Sequence, residues 1–285
     1  MQLADIEQKI QDLPTLPTVA HQINIGTKQE SLTAKGLGQI VSKDPSLTAK
    51  LLKLANSAYY GLIKQVNTVD RAITLLGFNT VRNLALTVSI SGFFAKGAEA
   101  VIDMKGLWHH SLGCAVAAKT LLVKENPALA EEAFLCGIIH DIGTLAILSI
   151  STAEMVGTLR IMKEKGLTQS EAEKAHIGFT HQFVGGLLAG KWNFPDRYTA
   201  VIRFHHDPFA KGVAAYEMDK KLLLAVYVGN QLAKALNLGT SLDMANSSVL
   251  PQAWQSLGIA PKMLAELRQQ IKTEYTLIIE SWNLA

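Results

Sequence analysis

The stretch FLCGIIHDIGTLAIL, residues 134 to 148, is the one around which the chain is organised, and in it an adjacent His140 and Asp141 interrupt an otherwise apolar run. An ionisable pair in a mostly buried segment costs free energy unless each group has a partner. The pair therefore requires a metal ion, a hydrogen-bond network or a substrate. These two residues are the first place in the sequence where chemistry is expected.

The composition around this stretch indicates a protein with a large core. Apolar residues make up 48% of the 285 residues and charged residues 18%, below the usual share of about a quarter. The formal net charge of +3 is spread along the chain without a Lys/Arg run, which argues against a nucleic-acid partner. Cys114 and Cys136 lie in apolar helical patterns, and no signal peptide or membrane span is visible, so we expect a cytoplasmic protein.

Apolar residues recur with the period of an α-helix along most of the chain, and strand-like alternation is nearly absent. Segment 96 to 106 breaks this rhythm and predicts a seam between two helical parts. The sequence therefore predicts an all-α fold of two packed helical bundles, formed by residues 1–95 and 96–285. Helix starts are predicted at or beside Asp44, Thr68, Asn79, Asn126, Ser151, Thr168, Thr180 and Pro195.

Two of these helices meet at Gly77 and suggest a helix-turn-helix motif. The second of them offers Arg82 as its only basic residue. A helix that reads DNA needs several donors for phosphates and base edges. We therefore expect a packed helical hairpin rather than a recognition helix.

Imidazole and carboxylate groups fall on successive predicted helices, beside positions that face the core. Helices of a bundle can direct such groups at one interior point, where they suit iron, manganese or zinc. The alternatives are a polar network that fixes helix register, or zinc with mixed Cys/His ligands, since Cys114 and Cys136 each lie four residues from a candidate histidine. The candidate ligands for one or two metals are His110, His140, Asp141, His181, His205 and His206.

Two groups of motifs resemble the HDOD domain, or HD-related output domain. LPTLP at 13 to 17, DPSLTAKLLKLANSAYYG at 44 to 61 and AITLLGFNTVRNLAL at 72 to 86 resemble its N-terminal half. LWHHSL, FLCGIIHDIGTLAIL, THQFVGGLLAGKWNFP and VIRFHHDP, between residues 107 and 236, resemble its HD-like half. The resemblance implies one all-helical bacterial signalling unit, related to the HD and HD-GYP metal-dependent phosphohydrolases and generally regarded as non-catalytic.

The resemblance also shows where the chain departs from the active relatives. The six candidate ligands match the family pattern, but Asn230 matches the closing carboxylate, and Thr144 takes the place of a phosphate-binding lysine. No Gly-Tyr-Pro follows HHDP. These two substrate-binding positions are therefore degenerate, and we expect a signalling scaffold that binds a partner protein or a small ligand. The alternative is a metal-dependent phosphohydrolase acting on a nucleotide or cyclic dinucleotide.

Overall fold

The structure is a computed structural model that describes residues 3–94, 101–243 and 248–284, and all of its regular elements in these ranges are helical. The prediction of an all-α fold is confirmed. The first part of the chain forms α1 (Leu3–Asp12), α2 (Thr18–Lys28), α3 (Ala34–Val41), α4 (Pro45–Ala55), α5 (Val69–Leu76) and α6 (Phe78–Phe94).

The second part of the chain forms a larger group of helices that carries the candidate ligands. Its helices are α7 (Met104–Leu122), α8 (Pro127–Ile139), α9 (Ile142–Ile150), α10 (Thr152–Lys165), α11 (Gln169–His176), α12 (His181–Lys191), α13 (Asp196–Phe204), α14 (Lys220–Ala235), α15 (Pro251–Ser256) and α16 (Leu264–Leu284). In this part α7 packs against α8, α14 and α16, while α9 packs against α12.

Most of the predicted helix starts are formed as expected. Asn79 marks a helix start but does not cap it, because α6 begins one residue earlier, at Phe78, directly after Gly77, where a φ of 90° turns the chain. Ser151 and Glu154 have the spacing of a capping box, but the Glu154 carboxylate pairs with Nε2 of His176 at 2.9 Å instead of turning back to Ser151. Side-chain oxygens accept hydrogen bonds from first-turn amides at Asp44, Thr68, Asn126, Ser151, Thr168 and Thr180.

The most apolar part of the chain is the pair of helices α8 and α9. The sequence shows no evident membrane span, yet the stretch Pro127–Ile150 is long and apolar enough to cross a membrane, and its most apolar window of 18 residues has a mean hydropathy of 1.9. However, 89% of this most apolar window is buried inside the fold, as is usual for the core helix of a folded domain. The two cysteines are free thiols in the same core.

Contacts between the two parts of the chain place the first helices against α12 and α13. The side-chain amide of Asn24 donates to the carbonyl of Trp192 at 3.2 Å, and Lys191 donates to carbonyls at the end of α1. Arg82 is buried, and its guanidinium donates to the hydroxyl of Tyr198 at 3.4 Å. The basic residue of the suggested recognition helix is therefore engaged in the interior of the protein.

Candidate metal centre

The turn between α8 and α9 carries His140 and Asp141 into the core. Both residues are buried, and the His140 Nδ1–H donates to the carbonyl of Gly137 at 2.8 Å. Because a carbonyl can only accept, this bond places the proton on Nδ1 and leaves the Nε2 lone pair facing the interior. His205, at the end of α13, repeats the arrangement, with its Nδ1–H donating to the carbonyl of Ile202 at 2.9 Å.

A buried carboxylate orients His181 at the start of α12. Oxygen Oε2 of Glu173 accepts from Nδ1 of the His181 ring at 2.8 Å and from the His181 backbone amide at 2.7 Å. The same carboxylate accepts from the amide of Gln169 at 2.8 Å, and that amide also donates to the hydroxyl of Thr144 at 2.9 Å. Thr144 is therefore connected to His181 through Gln169 and Glu173, behind the ring rather than in front of it.

All six candidate ligands come together, and they form two groups that share Asp141. In one group, with His181, His205 and His206, the ligand atoms all lie within 4.8 Å of one another. Asp141 Oδ1 lies 3.2 Å from His205 Nε2 and 3.5 Å from His181 Nε2, while Nε2 of His206 is 3.2 Å from that of His181. The other group consists of His110, His140 and Asp141.

Three buried atoms at this centre have no hydrogen-bond partner among the described residues. They are Nε2 of His140, Nε2 of His205 and Oδ1 of Asp141. Imidazole nitrogens that turn their lone pairs toward a carboxylate are expensive to bury without a cation between them. The donor set of imidazole and carboxylate fits iron, manganese or zinc, and the backbone and carboxylate partners behind the rings are those that orient metal ligands.

The electrostatic environment lowers the pKa of three of these histidines and raises that of the other two. Burial alone would lower the pKa of His140 and of His181, but Asp141 holds the first well above its usual value and Glu173 raises the second. Burial lowers the pKa of His205 to about 4, and burial together with His140 lowers the pKa of His110 to about 4. Burial and neighbouring histidines hold the pKa of His206 well below its usual value. Burial alone would raise the pKa of Asp141, but the contacts with His140 and His205 hold it well below its usual value. Neutral imidazole and ionised carboxylate are the forms that bind metal.

Asn230 lies against His110 on the far side of the centre. Its amide oxygen is 3.1 Å from His110 Nε2, and both residues are buried. With that oxygen as the acceptor, Nε2 of His110 carries the proton and has no lone pair for a metal. The second ligand group is therefore less suited to a metal than the first. Neither Cys114 nor Cys136 belongs to a ligand group in the described part of the chain, and the thiol of Cys114 donates to the Val226 carbonyl at 3.7 Å.

Sequence reasoning missed three charged residues of this centre: Glu173, Lys234 and Asp243. Glu173 is completely buried although it lies in the polar helix α11. The carboxylate of Asp243 lies 4.0 Å from Nδ1 of His206 and 3.6 Å from the ammonium of Lys234. A sequence signal was present for Lys234, since it follows Asn230 by one helical turn and shares its face.

The comparisons with known proteins agree with this architecture. The family model that describes the HDOD domain matches residues 13–208, so the chain belongs to the HDOD domain family. An HDOD domain protein of unknown function from Geobacter sulfurreducens has a similar structure, with a TM-score of 0.78 and 22% identity over 98% of this chain and 99% of that one. That likeness shows the fold alone.

Two further proteins resemble this chain. A protein from Shewanella amazonensis SB2B, described as a candidate phosphohydrolase, has 28% identity and a TM-score of 0.75 over 98% of both chains. An uncharacterised protein of Treponema pallidum (strain Nichols) is 25% identical over 249 residues, which are 87% of this chain and 47% of that protein. The chain thus spans about half the length of this curated relative.

Proposed function

We propose that this chain is a bacterial HDOD signalling module that holds one transition-metal ion at Asp141, His181, His205 and His206. Through this centre it binds a small ligand or a partner protein without hydrolysing it. Iron, manganese and zinc are the metals that suit the donor set. When bound, such an ion would supply the positive charge that the buried carboxylate and ring nitrogens lack, and would attract an oxyanion ligand.

The observation that carries this proposal is the convergence of unpartnered buried atoms. His205 Nε2 and Asp141 Oδ1 lie 3.2 Å apart without the geometry of a hydrogen bond, and both are shielded from water. A polar network built only to fix helix register would pair these atoms with each other. Hydrogen bonds on the opposite ring nitrogen instead fix the rings of His140, His181 and His205 from behind, which is the arrangement that supports metal ligation.

Elemental analysis tests the metal. Protein expressed with iron, manganese and zinc in the medium is expected to retain about one equivalent of metal. His205→Ala should lose it, because that substitution removes a buried ligand, while His21→Ala, on α2 away from the centre, should retain it. Wild-type protein with less than about a tenth of an equivalent of any of these metals would contradict the proposal.

The contact between His110 and Asn230 supports a non-catalytic role. A neutral amide in place of a carboxylate supplies no charge to a second ion, and the second group of ligands is left with Asp141 as its only anion among the described residues. Metal-loaded protein is therefore expected to leave nucleotides and cyclic dinucleotides intact. Turnover that disappears in His140→Ala would instead establish an enzyme.

A metal-dependent phosphohydrolase is the second candidate function. The observation that favours it is the closeness of the two ligand groups, which share Asp141 and together contain all six residues of the pattern in active relatives. Both candidate functions require the metal, but only the hydrolase forms a product. The turnover assay therefore separates them. We place either protein in the cytoplasm, a location that its two free, buried thiols support.

A further inference from the structure

The helix α14 carries a second buried polar residue that faces the metal centre. Lys234 lies one turn beyond Asn230, and its side chain is only 2% exposed. The ammonium is close enough to the centre to contribute, after burial and the neighbouring histidines, to the lowered pKa of His110 and of His206. A cation is therefore present beside the candidate ligands, although the position that carries lysine in active relatives is Thr144.

The ammonium of Lys234 is incompletely paired in the described part of the chain. Its ionic partner there is Oδ2 of Asp243 at 3.6 Å, which is longer than a hydrogen bond. The other carboxylate oxygen, Oδ1 of Asp243, is buried and has no hydrogen-bond partner among the described residues. A buried ammonium with three donors and a buried carboxylate are both costly unless further partners complete their bonds.

The pair lies beside the most exposed of the candidate metal ligands. Among the candidate metal ligands His206 has the largest exposure, with 20% of its side chain accessible, whereas the rings of His140, His181 and His205 are completely buried. The Asp243 carboxylate, 11% exposed, lies beside the Nδ1 edge of His206. A molecule that enters next to His206 therefore meets the Lys234 ammonium and the metal position together.

The geometry points to Lys234 as the cation of an oxyanion subsite, which binds a phosphate-bearing small molecule against the metal centre and releases Asp243 when it does so. This inference rests on the proposed function, because the ligand would also contact the metal. A phosphoryl group offers several acceptor oxygens and matches the donors of an ammonium. When the subsite is empty, Asp243 balances the charge of Lys234. The ligand therefore competes with Asp243 for the ammonium.

Binding of inorganic phosphate, measured by calorimetry with the metal-loaded protein, tests the subsite. Lys234→Met keeps most of the length of the side chain without its charge, and is expected to weaken phosphate binding by about tenfold or more at unchanged metal content. Lys220→Met, an exposed position on the same helix, should bind phosphate as the wild type does. Asp243→Asn should bind it several-fold more tightly, because it removes the competing carboxylate.

The outcomes separate this inference from the proposed function. Wild-type protein that holds metal but no phosphate, or a Lys234→Met variant that binds phosphate within about twofold of wild type, overturns the subsite and leaves the metal proposal intact. Loss of metal in Lys234→Met would show that Lys234 only positions His206 through Asp243, and also overturns it. If wild-type protein holds no metal, the proposed function fails, whereas phosphate binding that still depends on Lys234 would support the subsite.

Discussion

At the scale of single residues, Glu173 makes the most direct contact with a ring of the candidate metal centre. Its carboxylate accepts from both the ring and the backbone amide of His181, so it fixes the ring orientation and keeps Nε2 free for a metal. Glu173→Gln keeps the shape but removes the charge. We expect metal affinity to fall by about 10- to 100-fold, as for other partners of metal-bound histidines.

Glu171→Gln is the matched control for that substitution. Glu171 lies on the same helix but is exposed, where its carboxylate completes the capping box with Thr168, and glutamine is also accepted there. Competition with a metal-sensitive chelating dye gives the affinity of each variant. Equal affinities for the wild type and Glu173→Gln would mean that His181 needs no carboxylate behind it.

Asn230 is the residue that leaves the second ligand group without a further negative charge. Asn230→Asp places a carboxylate beside His110 and supplies the charge that the second group lacks. Metal content is expected to rise from about one equivalent toward two, measured by elemental analysis. Asn237→Asp, which adds the same charge at an exposed position just beyond the end of α14, should leave the metal content unchanged, and an equal rise in both variants would indicate nonspecific binding.

The predictability of the site also differs from residue to residue. His140 and Asp141 were identifiable because charged groups stand out in an apolar run. Glu173 was not, because the sequence of α11 is polar and the capping Glu171 nearby accounts for its acidic character. Asp243 lies outside the helices, in a segment whose position depends on the packing of the whole chain. Local patterns contain no information of that kind.

At the scale of elements, the close approach of α9 and α12 brings the two halves of the centre together. Gly143 allows this approach, since a Cβ there would overlap the carbonyl of His181 and the amide of Gly185. Both are backbone atoms and cannot move as a side chain does. Gly143→Ala is therefore expected to force the helices apart and to lower the free energy of unfolding by about 1–3 kcal/mol or more.

Gly190→Ala provides the control within α12. A Cβ at this exposed glycine meets no atom within 4 Å, so alanine should raise stability by about 0.5–1 kcal/mol through its helix propensity. Urea denaturation followed by circular dichroism measures both variants. A Gly143→Ala protein as stable as the wild type would show that the contact between α9 and α12 is not tight.

The helices themselves were largely predictable, because their starts depend on residues next to them in the chain. Asn126 and Thr180 cap α8 and α12 through the side-chain bonds that their sequences suggest. Asn79 failed as a cap because Gly77 ends one helix so sharply that the next begins at Phe78. The contacts between helices, including that at Gly143, follow from tertiary packing and are not encoded in any short segment.

At the scale of the whole molecule, the contacts of α1 and α2 with α12 predict that residues 1–95 and 96–285 unfold together. The ammonium of Lys191 donates to the carbonyls of Ile10, Gln11 and Leu13 and so satisfies the end of α1. Lys191→Met leaves these carbonyls without their charged donor. We expect the free energy of unfolding to fall by about 1.5–3 kcal/mol.

Lys28 also joins the two parts of the chain, through an ion pair with Asp196, and provides the matched control. Unlike Lys191, it is in an exposed pair: its side chain is 47% exposed and that of Asp196 74%. Water competes for such a pair, so Lys28→Met should change stability by less than about 0.5 kcal/mol. Circular dichroism follows every helix during urea denaturation, while fluorescence follows the tryptophans, all four of which lie in residues 96–285. Coincident transitions are expected in the wild type and in both variants. Transitions that separate in the wild type would show instead that the two parts fold independently and that Lys191 only tethers them.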